Sequence, residues 1–260
     1  MNDLDIKDEN QYFRVVNLDK SFGGLNAVCN LTFSLERNRI TSLIGPNGAG
    51  KTTTFNLISG YLRPDGGRIF FKDQEITGRG PHQIVQLGIA RTFQDLRLFN
   101  KLTVLENVLV GLQNRKGERL LNALIGGGML TREEKKDLEK SKNLLRLIEL
   151  DRKVDELVEN LSYGEQKLLA LARILATDAE LLMLDEPASG LPLGTVDRML
   201  ELIKDLVKEG KTVFVVEHNM EAVMGISDQV IVLNFGEMIA SGTPEQIQKN
   251  QEVIRVYLGL

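Results

Sequence analysis

Short apolar runs occur along the chain, between polar turns and longer amphipathic stretches. They include Ile40–Ile44, Leu181–Leu184, Thr212–Val216 and Gln229–Asn234. Runs of this length that end at turn residues predict strands buried on both faces. Such strands are typical of the parallel sheet of an α/β protein.

A second set of strands alternates polar and apolar residues, as a sheet with one exposed face does. It comprises Tyr12–Leu18, Ala27–Leu35 and Arg68–Phe71, with a turn at Gly23-Gly24 between the first two. These strands flank the continuous apolar strand Ile40–Ile44 in the sequence. We therefore expect an antiparallel sheet beside a parallel core.

Helices are predicted from apolar spacing and from their end signals. One helix begins near Lys51, covers Thr53–Ser59 and stops at Gly60, and others are expected at Leu200–Lys208 and Pro244–Leu258. Glycine just after the last helical residue is a common helix terminus because it accepts a left-handed conformation.

The stretch from Asp95 to Asn160 differs in character from the rest of the chain. Val104–Leu112 and Glu134–Leu150 have helical spacing, and no run in this stretch resembles a strand. We expect a single domain over residues 1–260, of class α/β. Its core and antiparallel sheet would occupy 1–94 and 161–260, and a helical subdomain would occupy 95–160.

The strand Ile40–Ile44 leads directly into the pattern G-x-x-x-x-G-K-[ST], a phosphate-binding loop, and a helix follows. Glycines let backbone N–H groups converge on phosphate oxygens, and the positive end of the helix dipole favours the anion. Lys51 adds a full charge, and the Thr52 hydroxyl is suited to Mg²⁺. The predicted nucleotide-binding residues are Gly45, Pro46, Asn47, Gly48, Ala49, Gly50, Lys51, Thr52 and Thr53.

Two carboxylates follow the apolar strand Leu181–Leu184, and ligands of open α/β sheets bind at that end of a strand. Asp185 is predicted to hold Mg²⁺ through water. Glu186 is predicted to act as the general base on the attacking water.

Three further positions have a functional and a structural interpretation. Gln94 would bind Mg²⁺ or hold the attacking water, or it is a surface residue. His218 follows the strand Thr212–Val216 and would donate to a γ-phosphate, or it is a hydrogen-bonded structural residue. Phe22 would stack on an adenine ring, or it is a core aromatic.

Ser162 and Glu165 form the pattern S-x-x-E, which predicts a capping box at the start of a helix running to about Ala176. The pattern is explained fully by helix capping. The N–H groups at the same helix start would also suit a phosphate, so both interpretations stay open.

Composition limits the function classes. The chain has 260 residues, of which 42% are hydrophobic and 26% charged, and a formal net charge of −4. These values fit an ordinary globular protein and provide no basic field for nucleic acid. Cys29 is the only cysteine, which excludes an internal disulfide. With no run near ~18 apolar residues and no apolar signal core, any membrane role is expected to come through a partner.

Taken together, these motifs resemble the nucleotide-binding subunits of ATP-binding-cassette (ABC) transporters. The resemblance covers almost the whole chain, because five elements occur in the order of that family. They are the loop at 45–52, Gln94, LSYGEQ at 161–166, LLMLDE at 181–186 and His218. The resemblance implies a RecA-like core with an antiparallel β-subdomain and an α-helical subdomain, and MgATP hydrolysis.

In the family, two cassettes pair head to tail, and each ATP lies between one phosphate loop and the partner's signature helix. The resemblance therefore implies that Ser162, Gly164 and Glu165 contact ATP across a homo- or heterodimer. It also implies integral-membrane permease subunits, an indirect link to a substrate-binding protein, and a place on the cytoplasmic face of the membrane.

Within the family, the chain looks most like ATPases of branched-chain amino acid importers. GIARTFQDLRLF at 88–99, VMGISD at 223–228, GTPEQI at 242–247 and VIRVYLG at 253–259 carry this likeness, as does an insertion around 117–131. Urea or amide importers and lipopolysaccharide exporters share parts of the pattern. A soluble P-loop ATPase without a transporter is the alternative from another class.

Two positions depart from the family pattern. Tyr163 replaces the usual glycine of the signature, a change that related importers tolerate. Pro192 stands where the family usually has Asp or Asn, and proline fixes φ and removes a donor, so communication between two sites is expected to differ.

The segment Asp95–Asn100 contains Leu96, Leu98 and Phe99 in a connection that would normally be polar. Exposed apolar residues in a loop mark a docking surface or a plug. By resemblance, this is where a cytoplasmic helix of the permease docks. The other interpretation is that Leu98 and Phe99 pack in the core of the helical subdomain.

Overall fold

The structure is a computed structural model and describes residues 11–112 and 130–258. The predicted insertion around 117–131 lies outside the described residues except at its C-terminal end. The chain divides into two compact units, one formed by residues up to Ile84 and from Lys204 onward, the other by Val85–Ile203. Within the described ranges, no helix has the length and apolar character needed to cross a membrane.

The strands are β1 (Gln11–Phe22), β2 (Leu25–Glu36), β3 (Ile40–Ile44), β4 (Gly66–Phe71), β5 (Gln74–Glu75), β6 (Ile89–Arg91), β7 (Leu181–Asp185), β8 (Thr212–Val216), β9 (Gln229–Asn234) and β10 (Glu237–Gly242). The helices are α1 (Lys51–Ile58), α2 (Pro81–Gln86), α3 (Val104–Val110), α4 (Arg132–Leu147), α5 (Tyr163–Leu175), α6 (Leu193–Lys208), α7 (Met220–Ile226), α8 (Pro244–Gln248) and α9 (Gln251–Leu258).

The predicted antiparallel sheet is confirmed in the first unit. Its strand order is β2-β1-β4-β5, and β1 pairs antiparallel with both β2 and β4. The β1–β2 hairpin closes through Gly23 and Gly24, whose φ angles of 54° and 86° explain why glycine occupies both positions. The strands are longer than predicted, because the pairing continues to Phe22 and Leu25 beyond the alternating core residues.

The predicted buried strands of the first unit are also confirmed. β3 pairs parallel with β8 and with β9, and all five residues of β3 are buried. β10, which the sequence did not predict, pairs antiparallel with β9. Its residues are exposed or half-buried, which explains the lack of a strong apolar signal.

The single terminal helix predicted at Pro244–Leu258 is wrong. Two helices occupy this stretch, α8 and α9, and Asn250 lies between them. The Asn250 side-chain oxygen accepts hydrogen bonds from the N–H groups of Glu252 (2.9 Å) and Val253 (3.2 Å). This N-cap starts a new helix where the apolar spacing alone suggests continuity.

In the second unit, β6 and β7 form a parallel pair, and all five residues of β7 are buried. The described residues between 95 and 160 contain α3, α4 and two 3₁₀ turns, Asp151–Lys153 and Val158–Asn160. Capping boxes begin both helices, at Thr103 and Thr131. The division into a core and a helical subdomain at 95–160 stays a prediction.

Candidate functional site

The loop between β3 and α1 holds its lysine close to the backbone. The Lys51 ammonium donates to the carbonyl of Gly45 at 2.7 Å and to that of Pro46 at 2.9 Å. Lys51 is only 6% exposed, so its charge is concentrated inside the curve of the loop. The loop therefore holds a cation at the place where the sequence predicts that phosphate binds.

Two loop glycines are required by close backbone contacts. A Cβ at Gly45 would lie 2.2 Å from the carbonyl oxygen of Leu233, and one at Gly50 would lie 2.4 Å from that of Ala27. Gly48 has no neighbour within 4 Å but has a φ of 81°, so its requirement is conformational. The predicted need for glycine is confirmed at Gly48 and Gly50, for different reasons.

The start of α1 fits an anion. Its N-cap Gly50 offers no side-chain hydrogen bond, and its first turn contains no acidic residue. The N–H groups of the first turn therefore have no competing carboxylate. Thr52 is exposed, Thr53 is half-buried, and the buried Ala49 is tied to the β9–β10 turn by the N–H of Gly236 (3.1 Å).

The C-terminal helix also reaches this loop, which sequence reasoning missed. The Tyr257 hydroxyl of α9 lies beside the backbone N–H of Gly45. Burial raises the pKa of Tyr257, and the Gly45 N–H acts in the opposite direction. Val253, one helical turn earlier, belongs to the same buried cluster as Ile44, the residue before Gly45.

His218 and Phe22 both belong to the first unit. His218 is exposed and follows β8, and β8 runs parallel to β3 with Val216 opposite Leu43. His218 therefore lies at the same end of this strand pair as the phosphate loop. Phe22 is 45% exposed at the end of the β1–β2 hairpin, so it is not a core aromatic.

In the second unit, Asp185 ends the buried strand β7 and pairs with Arg91 of β6. The Arg91 guanidinium and the Asp185 carboxylate are 2.7 Å apart, and both side chains are 6% exposed. The backbone N–H of Asp185 donates to the Thr92 hydroxyl at 3.0 Å. The sequence did not predict Arg91, although an arginine inside an apolar segment is itself a signal of a buried partner.

The structure brings Glu186 and Gln94 together. The Gln94 amide nitrogen lies 3.3 Å from the Glu186 carboxylate oxygen. Glu186 has a φ of 50°, a conformation that non-glycine residues adopt rarely and that is found at strained functional positions. Gln94 is exposed, and its contact with Glu186 favours the functional interpretation over that of an ordinary surface residue.

The predicted capping box at Ser162 is confirmed. The Glu165 carboxylate accepts from the Ser162 N–H at 2.9 Å, and the Ser162 hydroxyl accepts from the Glu165 N–H. Burial acts to raise the pKa of Glu165, but hydrogen bonds from Lys153 and Ser162 outweigh it and leave that pKa below its ordinary value. Ser162 is exposed and Gly164 half-buried.

Lys167 is a second residue that sequence reasoning missed. It lies on α5, is 6% exposed, and donates to the backbone carbonyls of Glu186 (2.6 Å) and Ser189 (2.5 Å). A lysine amid the apolar positions of α5 is the signal that was available.

Single oxygen donors suited to Mg²⁺ beside a nucleotide occur in each of the two units. Among the described residues no cluster of three or more His, Cys, Asp or Glu side chains could hold a metal ion by itself. Mg²⁺ bound beside phosphates needs only one or two protein ligands and keeps several waters. Thr52 in the first unit carries an oxygen donor of that kind, and so do Gln94 and Asp185 in the second unit.

Comparisons with known proteins agree with this chemistry. The family model described as ABC transporter matches residues 28–189, and one described as branched-chain amino acid ATP-binding cassette transporter matches residues 237–259. The high-affinity branched-chain amino acid transport ATP-binding protein LivG of Escherichia coli (strain K12) is 44% identical, over 92% of this chain and 94% of the relative. Its counterpart BraF of Pseudomonas aeruginosa is 41% identical, over 94% and 96%.

Solved structures of ATP-binding cassettes share the fold. A nucleotide-free cassette of an ABC transporter has a TM-score of 0.84 and 31% identity, with 96% of this chain and 100% of that chain covered. A cassette in its ADP conformation has a TM-score of 0.84 and 31% identity, with 96% and 99% covered. The predicted P-loop ABC ATPase fold is thereby confirmed, and the chain belongs to the ABC transporter family as an ATP-binding, ATP-hydrolysing subunit.

Proposed function

We propose that the chain powers import of branched-chain amino acids through separate membrane permease subunits. The observation that carries this proposal is the 44% identity over 92% of the chain to LivG, a branched-chain amino acid transport ATP-binding protein. The match of residues 237–259 to the branched-chain family model supports it independently of the nucleotide motifs.

We infer that the loop 45–52 with Thr53 binds the phosphates of ATP. Lys51, held by two loop carbonyls, meets the β- and γ-phosphates, and the first-turn N–H groups of α1 complete the cradle. Phe22 stacks on the adenine ring, an assignment supported by its exposure.

Hydrolysis is assigned to Glu186 as general base, with Gln94 and His218 as catalytic partners. Gln94 donates to the carboxylate that must accept the proton of the attacking water, and His218 donates to the γ-phosphate. When bound, Mg²⁺ neutralises phosphate charge. Thr52, Gln94 and Asp185 would hold it, and Arg91 fixes the orientation of Asp185.

Cassettes of this family act as dimers together with membrane permease subunits. For this chain we propose that Ser162, Gly164 and Glu165 contact ATP bound to the partner cassette, in a homo- or heterodimer. We place the complex on the cytoplasmic face of the membrane and link it through the permeases to a substrate-binding protein.

The test is transport by the reconstituted complex. The chain is co-expressed with permease subunits and a substrate-binding protein encoded in the same genome, and uptake into vesicles is measured with ATP. We expect ATP-dependent uptake of leucine, isoleucine or valine. Uptake of another solute alone would overturn the substrate assignment, and a chain that never assembles with permeases would overturn the transport assignment.

A further inference from the structure

The N-terminal part of α5 is tied to the loop that follows the two carboxylates. Lys167 donates to the carbonyl of Glu186 at 2.6 Å and to the carbonyl of Ser189 at 2.5 Å. The N–H of Ser189 also donates to the carbonyl of Glu186 at 3.3 Å. One ammonium group therefore holds both ends of the turn Glu186–Ser189.

The ring of Tyr163 covers this ammonium. The Lys167 nitrogen lies 5.3 Å from the ring centroid, within the range of a cation–π contact. A Cβ added at Gly190 would lie 3.2 Å from a Tyr163 ring carbon. Tyr163, which replaces the usual glycine of the signature, therefore packs closely against the loop at Gly190.

The cost of burying Lys167 indicates why these contacts matter. A buried ammonium is strongly unfavourable unless it is hydrogen-bonded, and here backbone carbonyls and an aromatic face receive it. Glu186 has a φ of 50°, a costly conformation that persists only where its surroundings hold it in place. Lys167 bonds to the carbonyl of that same strained residue.

We propose that Lys167, covered by Tyr163, is a positioning residue that fixes the turn Glu186–Ser189 and so aims the Glu186 carboxylate. It acts through the backbone and touches no reacting atom. The inference rests on the proposed role of Glu186 as the base. It assigns to Tyr163, a departure from the family pattern, the task of shielding the ammonium.

The test compares Lys167→Met, which removes the charge at similar length, with Lys167→Arg, which keeps charge and donors. The Met variant loses the hydrogen bonds from a charged group that hold the turn in place. Because the free energy of such bonds corresponds to at least a tenfold change in rate, we expect its kcat to fall by about tenfold or more. KM and MgATP affinity should stay within about twofold, since the phosphate loop is unaltered. The Arg variant should recover most of kcat.

A Met variant with normal kcat, or an Arg variant as impaired as Met, would overturn the proposal. If Lys167→Met does not fold, Tyr163→Phe and Tyr163→Leu provide the test, because Tyr163 is 48% exposed and its replacement is expected to leave the protein folded. An aromatic ring is enough to cover the Lys167 ammonium, so Tyr163→Phe should keep kcat. Tyr163→Leu, which lacks the ring, should lower kcat by about threefold. Equal kcat for the two would also overturn the proposal.

Glu186→Gln, measured in parallel, separates this inference from the assignment on which it rests. Loss of turnover in that variant supports Glu186 as the base. The variants Lys167→Met and Lys167→Arg then measure how Lys167 positions it. If Glu186→Gln hydrolyses ATP normally, the base assignment fails, and with it the inference that Lys167 aims a base.

Discussion

Arg91 and Asp185 form a buried ion pair, with 2.7 Å between guanidinium nitrogen and carboxylate oxygen and 6% exposure of each side chain. The pair joins the ends of the parallel strands β6 and β7. It restricts the carboxylate that we assign to Mg²⁺, and both of its side chains are almost fully shielded from solvent.

Arg91→Met should therefore destabilise the protein strongly. Removing one partner leaves an uncompensated buried charge, which costs ~3–5 kcal/mol. The matched control is Arg146→Met, because Arg146 pairs with Glu139 on the surface at 55% and 57% exposure. That variant should lose about 1 kcal/mol or less in urea unfolding. Equal losses for the two variants would contradict the structural role of Arg91.

The pKa of Glu165 predicts a dependence of stability on pH. Because this pKa is lowered in the folded state, the ionised carboxylate stabilises the fold above the unfolded pKa of about 4.3. That contribution is lost as the pH falls through the folded pKa. In urea unfolding, wild type should exceed Glu165→Gln in stability at pH 7, and the difference should shrink in acid. A difference between wild type and Glu165→Gln that stayed constant with pH would contradict the prediction.

Pro192 is expected to weaken coupling between the two ATP sites of a dimer. It is exposed, and its carbonyl accepts from the N–H groups of Thr195 (2.9 Å) and Val196 (3.0 Å) at the start of α6. Pro192→Asp keeps that carbonyl and adds a favourable helix-capping side chain, so the fold should tolerate it. We expect a higher Hill coefficient of ATP hydrolysis, or an unchanged one with a faster rate. A slower and less cooperative enzyme would contradict this.

Phe99 is the strongest candidate for contact with a permease. Its ring is 49% exposed, so it is not a core residue, whereas Leu98 is half-buried. The Phe99 backbone is held independently of the ring, by the N–H donating to Asn107 (2.9 Å) and the carbonyl accepting from it (3.0 Å).

Phe99→Asp should consequently give a folded subunit with normal ATPase that no longer assembles with the permease. Co-purification with the membrane subunits measures this. Phe235→Asp, at an 81% exposed aromatic elsewhere on the surface, is the control and should assemble. A Phe99 variant that assembles and transports would place the docking site elsewhere.

The sequence predicted the structure correctly wherever a local pattern of residues was sufficient. The phosphate loop, the capping box at Ser162 and the buried strand β3 each depend on residues close together in the chain. The strands of the antiparallel sheet were predicted too short, because their ends are set by pairing with distant residues.

The contacts that orient the predicted residues could not be derived in this way. Arg91 and Asp185 are 94 positions apart, and Gln94 and Glu186 are 92 apart. The pairing of such residues follows from strand order, which no local pattern specifies. The strained backbone of Glu186 is likewise a tertiary effect, since glutamate has no local preference for positive φ.

The role of Glu186 is tested most directly by Glu186→Gln. The amide is nearly isosteric but cannot accept a proton from water, and it leaves the phosphate loop unchanged. MgATP turnover and sedimentation with MgATP are measured on the same preparation, together with binding affinity. We predict unchanged affinity, nearly abolished turnover and an ATP-trapped dimer. Near-normal hydrolysis by the variant would contradict the assignment of Glu186 as the base.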